Sequence, residues 1–408
     1  MSLLRVRTRR EKLVIVGAGM AAARFVAELL AAAPDRFDIT LIGDEPRLPY
    51  NRVLLSPVLA GDMELADIEL EPAHWWRDAG VEIVTGRKVV SIEARAHRLR
   101  YENGETLGYD RLILATGSTA IRLPVEGANL PGVHAFRDAR DAETLSRLAD
   151  EGKRFAVIGG GLLGLEAAYG FARRGAKACV VHVMDRLMER QLDAAGAAVL
   201  QRLVEAKGVT VFTSADTARI GGRGRVESIA FRDGRTFDID AVVFAVGVRP
   251  NTTLAQAAGL KVGRGIVVDD GLSTSDPDIF AIGECIEHRG VCYGLVEPAY
   301  QQARVLAKHL AGHDASYAGS VVATNLKVSG VRVFSAGDPI GEGAQAIICK
   351  DPRMGLYRKL VIADDRLTGA VLIGDASGAQ DYLALIRSGE SIASFRDELM
   401  FGAMRKVA

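Results

Sequence analysis

Two glycine-rich segments carry the most legible chemistry of this chain. They are Val14-Ile15-Val16-Gly17-Ala18-Gly19-Met20-Ala21-Ala22 near the start and Ile158-Gly159-Gly160-Gly161-Leu162-Leu163-Gly164 in the middle. Each follows an apolar run that reads as a buried parallel strand, residues 13–16 and 155–158, and each precedes a helix-compatible stretch. In that context the first glycine permits a tight strand-to-helix turn and the second lets backbone approach a pyrophosphate. The third small residue allows close helix packing. The phosphates are expected at the positive end of each helix. Two such turns, at Gly17, Gly19 and Ala22 and at Gly159, Gly161 and Gly164, imply two bound dinucleotides.

The elements that must hold these turns follow from the apolar runs around them. Residues 37–42 read as a second strand and end near Asp44 and Glu45. Asp44 lies about twenty residues past the first turn, where a carboxylate takes ribose hydroxyls. The plain alternative is that both are solvated loop acids, and the binding role is the favoured reading. A strand over 112–115 ends in Thr116-Gly117-Ser118, and a matching one over 242–246 ends in Gly247-Val248-Arg249-Pro250-Asn251. Such matching exits suggest one dinucleotide unit inserted into another, a domain duplication rather than a short repeat. Residues 276–284 read as a turn and buried strand delivering Glu284, and a helix is expected from Pro298 through Leu310. The tail mixes strand-like runs at 356–362 and 367–373 with a late helix near 381–388. The expected domains are therefore 1–118 with 246–314, then 119–245, then 315–408.

Composition narrows the function. The 408 residues are 49% hydrophobic and 25% charged, and 51 lysines and arginines balance 51 acids. That balance gives no footprint for nucleic acid or an anionic membrane. The arginine-rich first twelve residues lack the apolar core of a signal peptide, and no run approaches a membrane span, so a cytoplasmic protein is expected. Cys179, Cys285, Cys292 and Cys349 form no CxxC, so neither a metal site, an iron–sulfur site nor a disulfide framework is expected. Any metal chemistry is expected on a partner.

The most specific segments are Leu48-Pro49-Tyr50-Asn51-Arg52, residues 159–166, Leu187-Met188-Glu189-Arg190-Gln191-Leu192-Asp193, residues 245–251 and residues 283–290. Phe334-Ser335-Ala336-Gly337-Asp338 and Leu385-Ile386-Arg387-Ser388-Gly389 join them in the tail. With these residues the chain resembles, nearly end to end, the two-dinucleotide FAD/NAD(P)-linked reductases. Within them it is most similar to the flavin-containing portion of the NADH-dependent nitrite reductase large subunit. The resemblance implies an α/β protein with two Rossmann-like domains of the glutathione-reductase type, one for FAD and one for NAD, and an α+β C-terminal domain.

It also implies roles. The first fingerprint would hold FAD, with Gly17, Gly19 and Ala22 at the pyrophosphate and Asp44 and Glu45 at the adenosine ribose. Arg52 would serve the flavin side, where a guanidinium suits a diphosphate, or else form a surface ion pair. Thr116, Gly117, Gly247, Gly283 and Glu284 would complete the cofactor site, with Glu284 where most relatives have aspartate at the ribityl chain. A helix opening at Glu297-Pro298 would turn its positive end toward the flavin ring. The second fingerprint would hold NADH. His182 stands where an NAD-selecting acid often sits, and Arg186 keeps NADPH open.

Glu166 would lie near the nicotinamide and flavin rings, and its plainer reading is an acid near a helix start. Many relatives pair it with a lysine after a Leu-Ser step, but Leu55-Ser56 is followed here by Pro57. Glu166 is then neutral, solvated or bound elsewhere. Leu54-Leu55-Ser56-Pro57 also lacks the cysteines of the disulfide reductases and peroxidases, and Cys285 beside Glu284 reads as a small core residue. Trp75 and Trp76 read as part of a half-buried helix.

The family's large subunits continue into cluster-binding and sirohaem-binding parts, whereas this chain stops at Ala408. The expectation is a free-standing reductase that passes electrons from NADH through FAD to an iron–sulfur, rubredoxin-like or nitrate/nitrite reductase partner. The alternatives are a quinone or dye reductase and a redox-dependent FAD/NADH switch protein. The tail would either form a homodimer interface or cover the flavin.

Overall fold

Short runs of Val, Ile and Leu bounded by glycine turns can bury both faces only as inner strands of a parallel sheet. The computed structural model, which describes residues 9–401 apart from 322 and 329, contains two such sheets. The chain divides into two compact units. One comprises residues up to 53 with 65–119 and 248–320, and the other comprises 54–64, 120–247 and the chain from 321 onward.

In the first unit a parallel sheet has the strand order Ile279–Ala281, Arg111–Leu114, Glu11–Val16, Phe37–Ile42 and Glu82–Val84. Leu13, Ile15, Leu112 and Ile113 are fully buried in it. The helix Met20–Ala32 presses Phe25, Val26 and Leu29 into this core and packs against the helix Val296–Leu310. That second helix starts at Val296 rather than at Pro298, so proline sits at its third position, still within the first turn where its missing N–H costs nothing.

In the second unit the order is Val209–Phe212, Lys177–Val181, Arg154–Ile158, Ala241–Phe244 and Val133–Ala135, again parallel. The helix Leu162–Arg173 lies on it, and Phe171 stacks on Phe155 with ring centroids 3.8 Å apart. The short helix Leu55–Ala60 belongs to this unit. It packs against Leu162–Arg173, where Arg174 Nε donates to the Leu59 carbonyl at 2.5 Å.

The same unit contains an antiparallel sheet in the order Ala323–Val328, Val331–Gly337, Arg366–Ile373, Leu356–Ala363 and Gln345–Asp351. The helix Ala379–Ser388 covers it with Tyr382, Leu383 and Leu385. The sheet is tied to the helix Ala194–Glu205 through Asp193. That carboxylate caps the helix at the Gly196 N–H (2.9 Å), accepts the Tyr357 hydroxyl at 2.6 Å and pairs with the buried Lys359 at 3.2 Å. Among the described residues no helix is long and apolar enough to cross a membrane, and no cluster of His, Cys, Asp and Glu could hold a metal ion.

Candidate functional site

A glycine is informative where backbone or packing demands it, and more so where neither does. Gly17 has φ 109°, and a Cβ there would stand 2.1 Å from the Ala115 carbonyl oxygen. Gly159 repeats this in the second unit, with φ 124° and a Cβ 2.2 Å from the Ala245 oxygen. These two are fixed by the turn. Gly19 and Gly161 differ: their φ values of −91° and −81° suit any residue, and a Cβ at either meets nothing within 4 Å. Each is the N-cap of its helix, without a side-chain cap and without an acid in the first turn. The helix N–H groups thus open onto clear space, which fits the pyrophosphates of two dinucleotides. At the third position Gly164 is forced, its Cβ lying 2.0 Å from the Gly159 oxygen, whereas the first unit accommodates the buried Ala22.

Around the first turn the sheet gathers the other expected residues. The Gly17 N–H donates to the Ile42 carbonyl at 2.8 Å, and the added Cβ of Gly43 would touch Ala18, which seats Asp44 just beyond the turn as an exposed carboxylate. Thr116 donates its hydroxyl to the Asn251 carbonyl at 2.8 Å, while the Asn251 N–H donates to the Gly117 carbonyl at 2.9 Å. Ser118 donates to Glu284 at 2.7 Å, joining the loop after Arg111–Leu114 to the turn after Ile279–Ala281. Gly283, with φ 87°, lies against Ala21 at the start of the first helix. In the second unit Gly247 has φ 107° in the loop that follows Ala241–Phe244, the counterpart of Gly117 with φ 64°.

Two expected ligands meet each other. Arg52 and Glu45 form a half-buried ion pair at 2.5 Å, and Tyr50 donates to the same carboxylate at 2.8 Å. The Leu48–Arg52 segment is thereby braced to the acid that follows strand Phe37–Ile42. Glu297 is exposed and engaged along its own helix, by Gln301 at 3.1 Å and Arg304 at 3.6 Å. Cys285 is fully buried, its Sγ donating to the Ile282 and Leu114 carbonyls, and burial pushes its thiol pKa up, which keeps it un-ionised. Trp76 is buried with its Nε1 on the Glu71 carbonyl, and Trp75 packs edge-on to it.

Glu166 is bound rather than solvated. Ser56 donates to its carboxylate at 2.6 Å across 110 residues of sequence, from the helix Leu55–Ala60 to the helix Leu162–Arg173. Burial pushes the Glu166 pKa up to about 7, with the Ser56 bond pulling the other way.

Two residues escaped the sequence reading. Gln302, wholly buried in the helix Val296–Leu310, accepts the Gly283 N–H at 2.8 Å and donates to Tyr317. A glutamine on the apolar face of an expected helix was the available signal. Gln302→Leu is expected to orphan the Gly283 N–H, and flavin retention through gel filtration should fall severalfold with little change in secondary structure by circular dichroism. Gly160, the middle glycine of the second turn, is the other: its Cβ would lie 2.6 Å from the His182 ring.

Residues 11–304 match the family model of the pyridine nucleotide-disulphide oxidoreductases, and residues 323–390 match the rubredoxin NAD+ reductase C-terminal domain. The chain is 45% identical over 94% of its length to a nitrite reductase [NAD(P)H] of Bacillus subtilis, covering 48% of that protein. It is 39% identical over 96% of its length to the assimilatory nitrate reductase electron transfer subunit of the same organism, covering 51% of that protein. The chain thus spans about half the length of these curated relatives. Among solved structures, the covalent putidaredoxin reductase–putidaredoxin complex superposes with a TM-score of 0.85 at 26% identity, covering 94% of both chains.

Proposed function

Because the chain belongs to the pyridine nucleotide-disulphide oxidoreductase family, we propose that it is an FAD-dependent reductase. In this reading it takes hydride from NADH and hands electrons to a protein acceptor. The observation that carries this reading is the pair of open glycines, Gly19 and Gly161, each at an uncapped helix start beyond a central parallel strand. The relatives' names point to the acceptor class: a nitrite or nitrate reductase component, or a small iron–sulfur or rubredoxin-like protein. The reading places the reaction in the cytoplasm.

Bound flavin would supply the two-electron to one-electron conversion. The chain's own residues bind and orient. Gly17 and Gly19, with Ala22 packing the helix close to the strand, would present the helix N–H groups to the FAD pyrophosphate, and Asp44 would take the adenosine ribose. Glu45 pairs with Arg52 and accepts from Tyr50, which fixes the Leu48–Arg52 loop as one piece that would border the cofactor. Ser118 fixes the Glu284 carboxylate, which would accept from the ribityl hydroxyls, and Thr116 and Gly117 clasp the chain at Asn251. Gly159, Gly161 and Gly164 would shape the turn that holds the nicotinamide nucleotide. Glu166, held in position by Ser56 and able to be protonated or charged near neutrality, would supply the titratable group beside the nicotinamide ring.

Anaerobic stopped-flow mixing of the flavin-loaded protein with NADH is expected to bleach the flavin on the millisecond-to-second scale. Turnover is then expected to require an added iron–sulfur or rubredoxin-like acceptor. No bleaching with NADH or NADPH would sink the reading, and rapid turnover on a quinone alone would move the acceptor to a small molecule.

A further inference from the structure

The position just past strand Lys177–Val181 is where a dinucleotide fold puts the carboxylate that takes the adenosine ribose hydroxyls, and this chain has His182 there. The imidazole is buried and engaged at both nitrogens. The Gly160 N–H can only donate, and it reaches Nδ1 at 3.1 Å, so the proton of the neutral ring is on Nε2 and faces Glu189 Oε2 at 3.1 Å. The turn itself therefore sets the tautomer. In the first unit the equivalent contact is between Ala18 and Gly43, small against small, whereas in the second the loop residue is Gly160 because the strand-end residue is a ring.

The segment carrying Glu189 is anchored to the same glycine. Met188 donates its N–H to the Gly160 carbonyl at 3.0 Å, adopts φ 51°, and accepts from the Gln191 and Leu192 N–H groups at 2.8 and 2.9 Å. This left-handed turn folds Glu189 back over His182, with its side chain 24% exposed. Val183 and Met184, 59% and 45% exposed, follow His182 directly and are apolar without being core. Arg186 is committed to the Leu192 carbonyl at 3.3 Å and Asp185 at 2.9 Å.

We propose that Glu189, presented by His182 and the Gly160 backbone, is the carboxylate that accepts the adenosine ribose hydroxyls of the nicotinamide dinucleotide and selects the unphosphorylated form. Val183 and Met184 form the apolar shelf beneath the adenine. A 2′-phosphate in this place would meet a like charge, since the Glu189 carboxylate lies 3.1 Å from the strand-end imidazole. The competing group is Arg190, 86% exposed and 3.9 Å from Glu189, which suits a 2′-phosphate instead. The inference rests on reading the second fingerprint as the nicotinamide nucleotide site.

The test is equilibrium binding of NAD+ and NADP+ to the flavin-loaded full chain by titration calorimetry, with flavin content and melting temperature recorded alongside. The wild type is expected to bind NAD+ the more tightly. Glu189→Gln keeps an acceptor for His182, removes the charge, and is expected to weaken NAD+ about tenfold while NADP+ holds or improves. Arg190→Ala is expected to leave NAD+ binding unchanged. Unchanged affinities in Glu189→Gln, or a wild type that prefers NADP+ and loses it in Arg190→Ala, would overturn the assignment while leaving the reductase reading standing. Binding of neither nucleotide would remove both. Should Glu189→Gln prove unstable, Glu189→Asp, which keeps the charge and shortens its reach, is expected to weaken NAD+ several-fold, and an unchanged NAD+ affinity there would equally overturn the assignment.

Discussion

Gly161→Val is expected to fold as the wild type does and to lose about a hundredfold in affinity for the nicotinamide nucleotide, whereas Gly159→Ala is expected to fold poorly. The contrast follows from geometry. At Gly161 the backbone is extended, with φ −81°, and a Cβ meets nothing within 4 Å, so the folded protein tolerates a branched side chain. What valine would fill is the clear space in front of the first N–H groups of the helix Leu162–Arg173. At Gly159 the added Cβ lies 2.2 Å from the Ala245 oxygen at φ 124°, a clash between backbones that costs several kcal/mol. Calorimetric titration of each variant, with circular dichroism as the folding control, checks both halves. A Gly161→Val protein that binds NAD+ normally would show that nothing approaches this glycine and would withdraw the second fingerprint from the mechanism.

The second large effect is on pH. Flavin reduction by NADH is expected to change with an inflection near pH 7 that disappears in Glu166→Gln, because Glu166 titrates there in the folded protein. Ser56→Ala removes the bond that favours the charged carboxylate, so its inflection is expected to move upward. The same group links to stability. Its folded pKa lies above that of an ordinary glutamate, so the stability it contributes is complete below about pH 4.5 and is lost as pH rises through about 7. Glu166→Gln is therefore expected to gain up to about 3 kcal/mol over the wild type at pH 8 relative to their difference at pH 4.5, by urea unfolding of the second unit's signal. A Glu166→Gln profile with the wild-type inflection would assign that inflection to another group and remove Glu166 from the reacting centre.

By itself the sequence determined the repeated strand–turn–helix frame. The runs at Phe37–Ile42, Arg154–Ile158 and Ala241–Phe244 and the glycines at 17, 19, 159 and 161 are local signals, because strand burial and turn stereochemistry depend on a few consecutive residues. It also exposed the missing lysine at Pro57, but not what replaced it. Tertiary structure alone decided the pairings. Ser56 reaches Glu166 because the helix Leu55–Ala60 packs on the second nucleotide-binding unit. Gln302 reaches Gly283 because the helix Val296–Leu310 packs back on the turn that follows strand Ile279–Ala281, and Arg52 turns to Glu45 because the loop between them closes on itself. Glu189 lies only seven residues from His182, yet its return depends on a left-handed Met188 hung from the Gly160 carbonyl. Residue type sets what a side chain can bond, and the fold's choice of which strand ends and helix faces adjoin sets what it does bond.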